Sequence, residues 1–236
     1  MASTSKIKGV ILKITDTPGK DKLITVLTER GVFKAFMTPK RTAGKKSHTV
    51  DLFTYGEIVY FTTDSGNNLI NSITPEEYFF GIREDITRLY AAGYFSSLAL
   101  HTAEDAETDM PRLMQLVCTS FSMLSKGANV KDIKPAFEFY IAELLGFTPS
   151  LEASVKSTSY YFSIPDGLLY VNPVPNSVLV SRNVVMAIYK IIMCAPDKAL
   201  SVVCDEKDDL YHLAQQYILY HTERNFDTLK YLNGVI

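Results

Sequence analysis

KLITVLTERGVFKAFMT, residues 22–38, decides how the first third of the chain folds. Two runs rich in β-branched and aromatic side chains, Lys22 to Thr28 and Val32 to Thr38, flank the turn Glu29-Arg30-Gly31. Each run is too short for a stable helix, and the turn between them ends on glycine, so the pair reads as a β-hairpin. In the second run Val32, Lys34 and Phe36 share one face, and Phe33, Ala35 and Met37 share the other. A cation beside an aromatic on one strand face is the mixture that holds a phosphate and stacks a base.

The same pattern extends in both directions. KIKGVILKIT (6–15) precedes the hairpin across the turn TPGKD, and EIVYFTT (57–63) and LINSIT (69–74) follow, separated by DSGNN. Five short strands in so few residues describe a small barrel or sandwich, and we expect a five-stranded OB-fold barrel over residues 1–78. From Pro75 onward the apolar period becomes helical. Ile82, Ile86, Leu89, Tyr90, Tyr94 and Leu98 predict one long helix, with further helices from Pro111 to about Lys126, from Asp132 as N-cap to Gly146, and near 178–194 and 206–222. Residues 148–177 carry four prolines and read as an irregular insert with a hairpin-like YYFSIPDGLLYV. The fold class is therefore α+β: a nucleic-acid-binding barrel (1–78) followed by a mainly helical domain (79–236).

Charge is distributed unevenly. The chain has 236 residues, 47% of them hydrophobic, and a net charge of -2, yet residues 1–50 hold 11 Lys/Arg against 3 Asp/Glu. A polyanionic partner would meet that end. Its densest part is TPKRTAGKKSHTV (38–50), with Lys40, Arg41, Lys45 and Lys46. GKKS at 44–47 is not a phosphate-binding P-loop: the first required glycine falls at Pro39, which has no N–H, and Lys46 stands where Ser or Thr is needed.

Other chemistry finds little support. Cys118, Cys194 and Cys204 form no CxxC pair, and His48, His101, His212 and His221 have no metal-ligand spacing. Glu76/Glu77, Glu84/Asp85 and the cluster Asp205, Glu206, Asp208, Asp209 fit helix starts better than acid–base pairs. No nucleophile–base arrangement is visible. We expect no enzyme activity, no cofactor and no metal. The N-terminal MASTSKIKGV lacks an apolar signal core and no run approaches a membrane span, so a cytoplasmic protein is expected.

GVILKITDTPGKDKLITVLTERGVFKAFMTPKRTAGKKSHTVDLFTYGEI resembles the N-terminal OB domain of the RecO family of bacterial recombination mediators. The matching pieces are Asp21 to Leu23, Thr28 to Gly31, the basic segment Lys40 to Lys46, and Val50 to Phe53. YFFGIREDITRLYAAGYFSSLA is similar to the first helix of that family's helical domain, FEFYIAELLGFTPSL to its helix ending in LLGY-x-P-x-L, and ERNFDTLKYL to its C-terminal close. The chain departs from the family twice. Residues 148–177 lack the paired cysteines of the family's zinc subdomain, so packing of Tyr160, Tyr161, Phe162, Leu168 and Leu169 must replace the metal. Pro135 and Ala136 stand where basic residues help bind the acidic tail of single-stranded DNA-binding protein (SSB); Lys131, Lys134 and Phe137 are the substitutes in reach.

The resemblance implies a nucleoid-associated protein of recombinational DNA repair. It would bind single- and double-stranded DNA, anneal complementary strands and, with RecR, help RecA load onto DNA coated by SSB, meeting the RecA filament only indirectly. The DNA-contacting set would be Lys13, Lys34, Phe36, Lys40, Arg41, Lys45 and Lys46, with Tyr60 facing either the bases or the barrel core. Two alternatives stay open: an OB-fold RNA-binding module, and an interaction scaffold whose basic loop grips an acidic partner.

Overall fold

The computed structural model describes residues 4–18, 21–38, 50–151 and 157–236. Strands β1 (Thr4–Asp16), β2 (Lys22–Thr28), β3 (Gly31–Met37), β4 (Tyr55–Thr62) and β5 (Asn68–Glu77) close into a barrel in the order β1-β2-β3-β5-β4. All pairs are antiparallel except the β3–β5 contact, Phe36 opposite Leu69. This is the five-stranded OB arrangement that the alternating runs predict. Ile11, Ile24, Val26, Ala35, Ile58, Ile70 and Ile73 point inward and fill it. Gly9 and Gly56 pair across β1 and β4, and a Cβ on either would overlap a backbone carbonyl, of Leu27 or Thr74, on the strand beyond. Bare backbone is what lets the sheet curl shut there.

The helical part begins with a 3-10 turn, Phe80–Glu84, and continues through α1 (Ile86–Thr102), α2 (Met110–Ser125) and α3 (Val130–Leu144). A small sheet follows, from β6 (Ser159–Ser163), β7 (Leu169–Tyr170) and β8 (Ser177–Ser181), then α4 (Arg182–Met193), α5 (Pro196–Ala199), α6 (Lys207–Thr222) and α7 (Asp227–Asn233).

Several boundaries differ from the sequence expectation for local reasons. The long helix from Ile82 is broken at Asp85, whose extended backbone and side chain, accepting from Arg88 N–H, make it the N-cap of α1. Asn129, not Asp132, caps α3 by accepting from Lys131 N–H. Residues 178–181, expected to open the helix near 178–194, belong instead to β8, and Ser181 caps α4. Within the insert the hairpin-like stretch forms the antiparallel β6–β7 pair, and β8, which follows the insert, completes a three-stranded sheet. Tyr160 and Phe162 are buried in it as expected, whereas Leu168 is exposed and Tyr161 and Leu169 are only partly covered.

Barrel and helices share one apolar core. Val10, Leu12 and Leu27, on the outer surface of β1 and β2, pack with the residues of α1, α2 and α3. The joint is aromatic: Phe121 on α2 meets Phe53 edge-on at 5.1 Å and Phe79 at 5.8 Å between ring centroids. Phe53 and Phe79 both hold left-handed backbone (φ 62 and 46), a conformation costly for a side chain of that size and sustained here by the burial of their rings. Gly81 lies flat against Ser125, where any Cβ would overlap the Ser125 carbonyl.

The helical core also contains charge. Lys134 and Glu138, one turn apart on α3, are both fully buried, 2.8 Å from each other. Tyr94 of α1 donates to Glu138 at 2.7 Å, and the Lys134 ammonium sits 3.9 Å from the centre of the Tyr211 ring of α6. Burial pushes the Lys134 ammonium down and the Glu138 carboxyl up, each toward neutrality, and their mutual attraction opposes both shifts. The pair on α3 thus meets α1 through Tyr94 and α6 through Tyr211.

Two outcomes are expected in urea denaturation followed by circular dichroism and tyrosine fluorescence, the chain having no tryptophan. Phe121→Ala should cost about 3–5 kcal/mol, with barrel and helices still unfolding in one transition. Lys134→Met should cost about 3–5 kcal/mol, and adding Glu138→Gln should recover part of it because the stranded charge is removed. The Lys134→Met penalty should be smallest below the ordinary carboxylate range. A Glu138 carboxyl with a raised folded-state pKa is neutral there, and its cost grows as pH rises.

Candidate nucleic-acid interface

The outward face of β1, β2 and β3 is built in three cross-strand rows. Val10, Leu27 and Val32 form the first and lie under the helices. Lys13, Thr25 and Lys34 form the second, and Thr15, Leu23 and Phe36 the third. A bulge makes this alignment possible. The β1–β2 register shifts between Ile11 and Lys13, so Leu12 is the extra residue. Leu12 turns outward into the shared core, and Lys13 still faces outward beside Thr25. Without the bulge, Lys13 would have turned into the barrel.

Between these rows and the C-terminal end of α1 lies a cleft of about 650 Å³, with Lys13, Thr25 and Lys34 on the barrel side and Leu100, Ala103 and Glu104 on the other. Asn68 donates to the Lys34 carbonyl at 3.2 Å and ties β3 to β5 at the cleft edge. Lys13 and Lys34 are exposed, and neither makes an ion pair among the described residues. The cations nearer the N-terminus differ: Lys6 is held by Glu57 at 2.9 Å and Lys8 by Glu76 at 2.6 Å. Glu104, the one carboxylate lining the cleft among the described residues, is engaged by Arg224 and His101, each at 3.4 Å. The field in the cleft is therefore positive on the barrel side.

Phe36 is partly exposed beside Leu23, at the end of β3 from which the basic segment departs in sequence. Lys40, Arg41, Lys45 and Lys46 lie outside the described residues. Tyr60 is partly exposed and packs its ring on Phe33, centroids 4.5 Å apart; Phe33 in turn packs against the barrel interior and lines the cleft. Thr25, Leu23 and Glu104 were not anticipated. Their place depends on strand register and on how α1 docks, which period-two alternation alone does not contain.

The residues proposed to replace the family's basic pair do not form a surface. Lys134 is 0% exposed and bound to Glu138, and Phe137 is 0% exposed and stacked on Phe95 at 4.2 Å. With the helix starting at Asn129, both side chains turn into the bundle, so the expectation that they contact a partner is corrected. Lys131 alone of the three is at the surface, where it pairs with Asp208 at 2.8 Å while Lys207 pairs with Asp132 at 2.6 Å. These crossed pairs join the starts of α3 and α6.

Among the described residues no three His, Cys, Asp or Glu side chains come together as a metal-holding group, and no helix is long and apolar enough to cross a membrane. Burial pushes the Cys118 thiol up to about 12, which leaves it unreactive at neutral pH.

The family model described as recombination protein O C terminal matches residues 83–230, from the 3-10 turn to α7. A protein of Alkaliphilus metalliredigens named DNA repair protein RecO is 27% identical over 242 aligned residues, covering 95% of this chain and 97% of that protein. Proteins of the same name from Bacillus pumilus and from a Roseiflexus species are 26% and 22% identical, covering 68% and 62% of this chain and 64% and 51% of their own lengths. The family model spans more than half the chain and one relative aligns with barrel and helices alike, so the chain belongs to the recombination protein O family.

Proposed function

We propose that this chain is a DNA-binding protein of recombinational repair that acts by holding strands and not by bond chemistry. The observation that carries the reading is the Lys13–Thr25–Lys34 row, whose cations are unpaired among the described residues, beside the Leu23–Phe36 row on the open face of an OB barrel. The names of the relatives support a repair role. Residues 1–78 are the binding unit in this reading and residues 79–236 its support, with 148–177 as a metal-free subdomain.

A single strand would run along the second row, its phosphates on Lys13 and Lys34, and continue over Lys40, Arg41, Lys45 and Lys46, which follow β3 in sequence. Phe36 would stack a base. By its family, the protein would anneal complementary strands and, with RecR, help RecA load onto DNA coated by SSB, as a cytoplasmic, nucleoid-associated component needing no cofactor. Lys131 is the one residue of the earlier set still available to the SSB tail.

Salt titration of binding to a labelled single-stranded oligonucleotide tests the reading. Each phosphate contact on a single strand contributes about 0.7 to the log–log slope, so Lys13→Ala/Lys34→Ala should weaken binding and flatten the slope by about 1.4. The quadruple Ala variant of Lys40, Arg41, Lys45 and Lys46 should flatten it further. Phe36→Ala should cost about 1–3 kcal/mol with the slope unchanged. Unaltered affinity and slope in both lysine variants would refute the interface. Tighter binding of an RNA of the same sequence would favour the RNA-module alternative.

A further inference from the structure

The barrel closes on itself and leaves no edge, but the second sheet is open. Its order is β7-β6-β8, so among the described residues β8 is hydrogen-bonded to β6 on one side only. The phase of that pairing is set by the bonds at its two ends, Arg182 N–H to Thr158 C=O at 2.9 Å and Ile164 N–H to Asn176 C=O at 3.0 Å, with Val180 opposite Tyr160 and Val178 opposite Phe162 between them. Even-numbered residues of β8 thus turn their peptide groups toward β6, and odd-numbered ones turn theirs away. Ser177 N–H is used by Val174 C=O. Leu179 has its N–H and C=O on the open side, and its side chain is 60% exposed.

Edges of this length are usually guarded by a charge, a proline or a bulge. Ser177–Ser181 contains no charged residue and no proline, and its register with β6 is unbroken. Its sequence, SVLVS, also reads the same in both directions. An antiparallel copy centred on Leu179 therefore places Ser177 against Ser181, Val178 against Val180 and Leu179 against itself.

We propose that β8 is an interface for a second copy of this chain, pairing antiparallel with β8 of that copy about a twofold axis through Leu179. The two Leu179 residues exchange N–H···O=C bonds, and Ser181 N–H of each copy reaches Ser177 C=O of the other. Peptide polarity and side-chain identity match under one twofold operation, as an isologous contact requires. The three-stranded sheets then join into one of six strands. Its outer face carries a continuous apolar row, because Tyr170, Tyr161 and Leu179 are already aligned across β7, β6 and β8. Pro173 and Pro175 end the ladder on one side and α4 on the other, which fixes the register. Just past the strand, α4 leaves Met186, Tyr189 and Met193 exposed along one side, extending the apolar surface. A five-residue strand is a small contact by the standards of stable complexes, so the dimer should be weak and concentration-dependent. The pairing stands independently of the nucleic-acid reading.

Sedimentation equilibrium of the full chain tests it, with Leu179→Lys and Leu179→Glu as variants at an exposed position where folding is not at stake. The wild type should move from monomer toward dimer mass as its concentration approaches about 1 mM. Each variant, facing a like charge across the axis, should stay monomeric with an unchanged thermal melt. An equimolar mixture of the two should recover the dimer, because Lys then faces Glu. A wild type that remains monomeric throughout, variants that associate like the wild type, or a mixture that stays monomeric would each overturn the proposal.

Discussion

Phe121 holds the rings of Phe53 and Phe79 at the joint between barrel and helices, and which face the barrel leaves open follows from that contact. The two partner rings flank the β4–β5 hairpin, one just before β4 and one just after β5, and both are presented by left-handed backbone. Burying them against α2 pins the barrel at two points. The first outward row of β1–β3 is then consumed by the helices, and the second and third rows are left facing a cleft whose other wall is the end of α1. A small barrel with a core of seven buried residues gains from this shared packing what its own interior cannot supply.

The same economy explains where the charges sit. The cations of β1 that face β4 and β5 are matched by Glu57 and Glu76, while Lys13 and Lys34, facing the cleft, are unmatched among the described residues. Positive charge without local partners is an electrostatic cost in the free protein, and a polyanion relieves it. Inside the helical body the pattern reverses. Lys134 and Glu138 are matched so tightly, with Tyr94 and Tyr211 completing the site, that nothing is left for a partner to bind. The small sheet in turn buries Tyr160 and Phe162.

Much of the fold was legible in the sequence because the two periods differ so clearly. Alternation along residues 22–38 separates the barrel interior from its exterior, and Ala35 and Lys34 sit as their parity requires. The helices were legible except where a single capping residue overrides periodicity, as Asp85 and Ser181 do, and except for α5 and α7, which are too short for a helical period to show. The site was legible only in part. Lys34 and Phe36 follow from parity, but the place of Lys13 depends on the bulge at Leu12, which no local pattern announces. Lys134 was misread for a sound general reason: lysine is among the least buried residue types, and only the tertiary meeting of α1, α3 and α6 gives it a carboxylate and an aromatic face in the interior.

Hydrogen–deuterium exchange of the full chain with and without a single-stranded oligonucleotide addresses the central claim most directly, since it maps contact without altering any residue. The cleft face of the barrel, peptides covering 12–16, 22–26 and 32–37, should gain protection on binding, along with the end of α1 near Glu104, while α3 and α6 exchange as before. Protection concentrated on α3, α6 or the β6–β8 sheet, with the β1–β3 peptides unchanged, would contradict the assignment of the barrel's outer face as the DNA-binding surface.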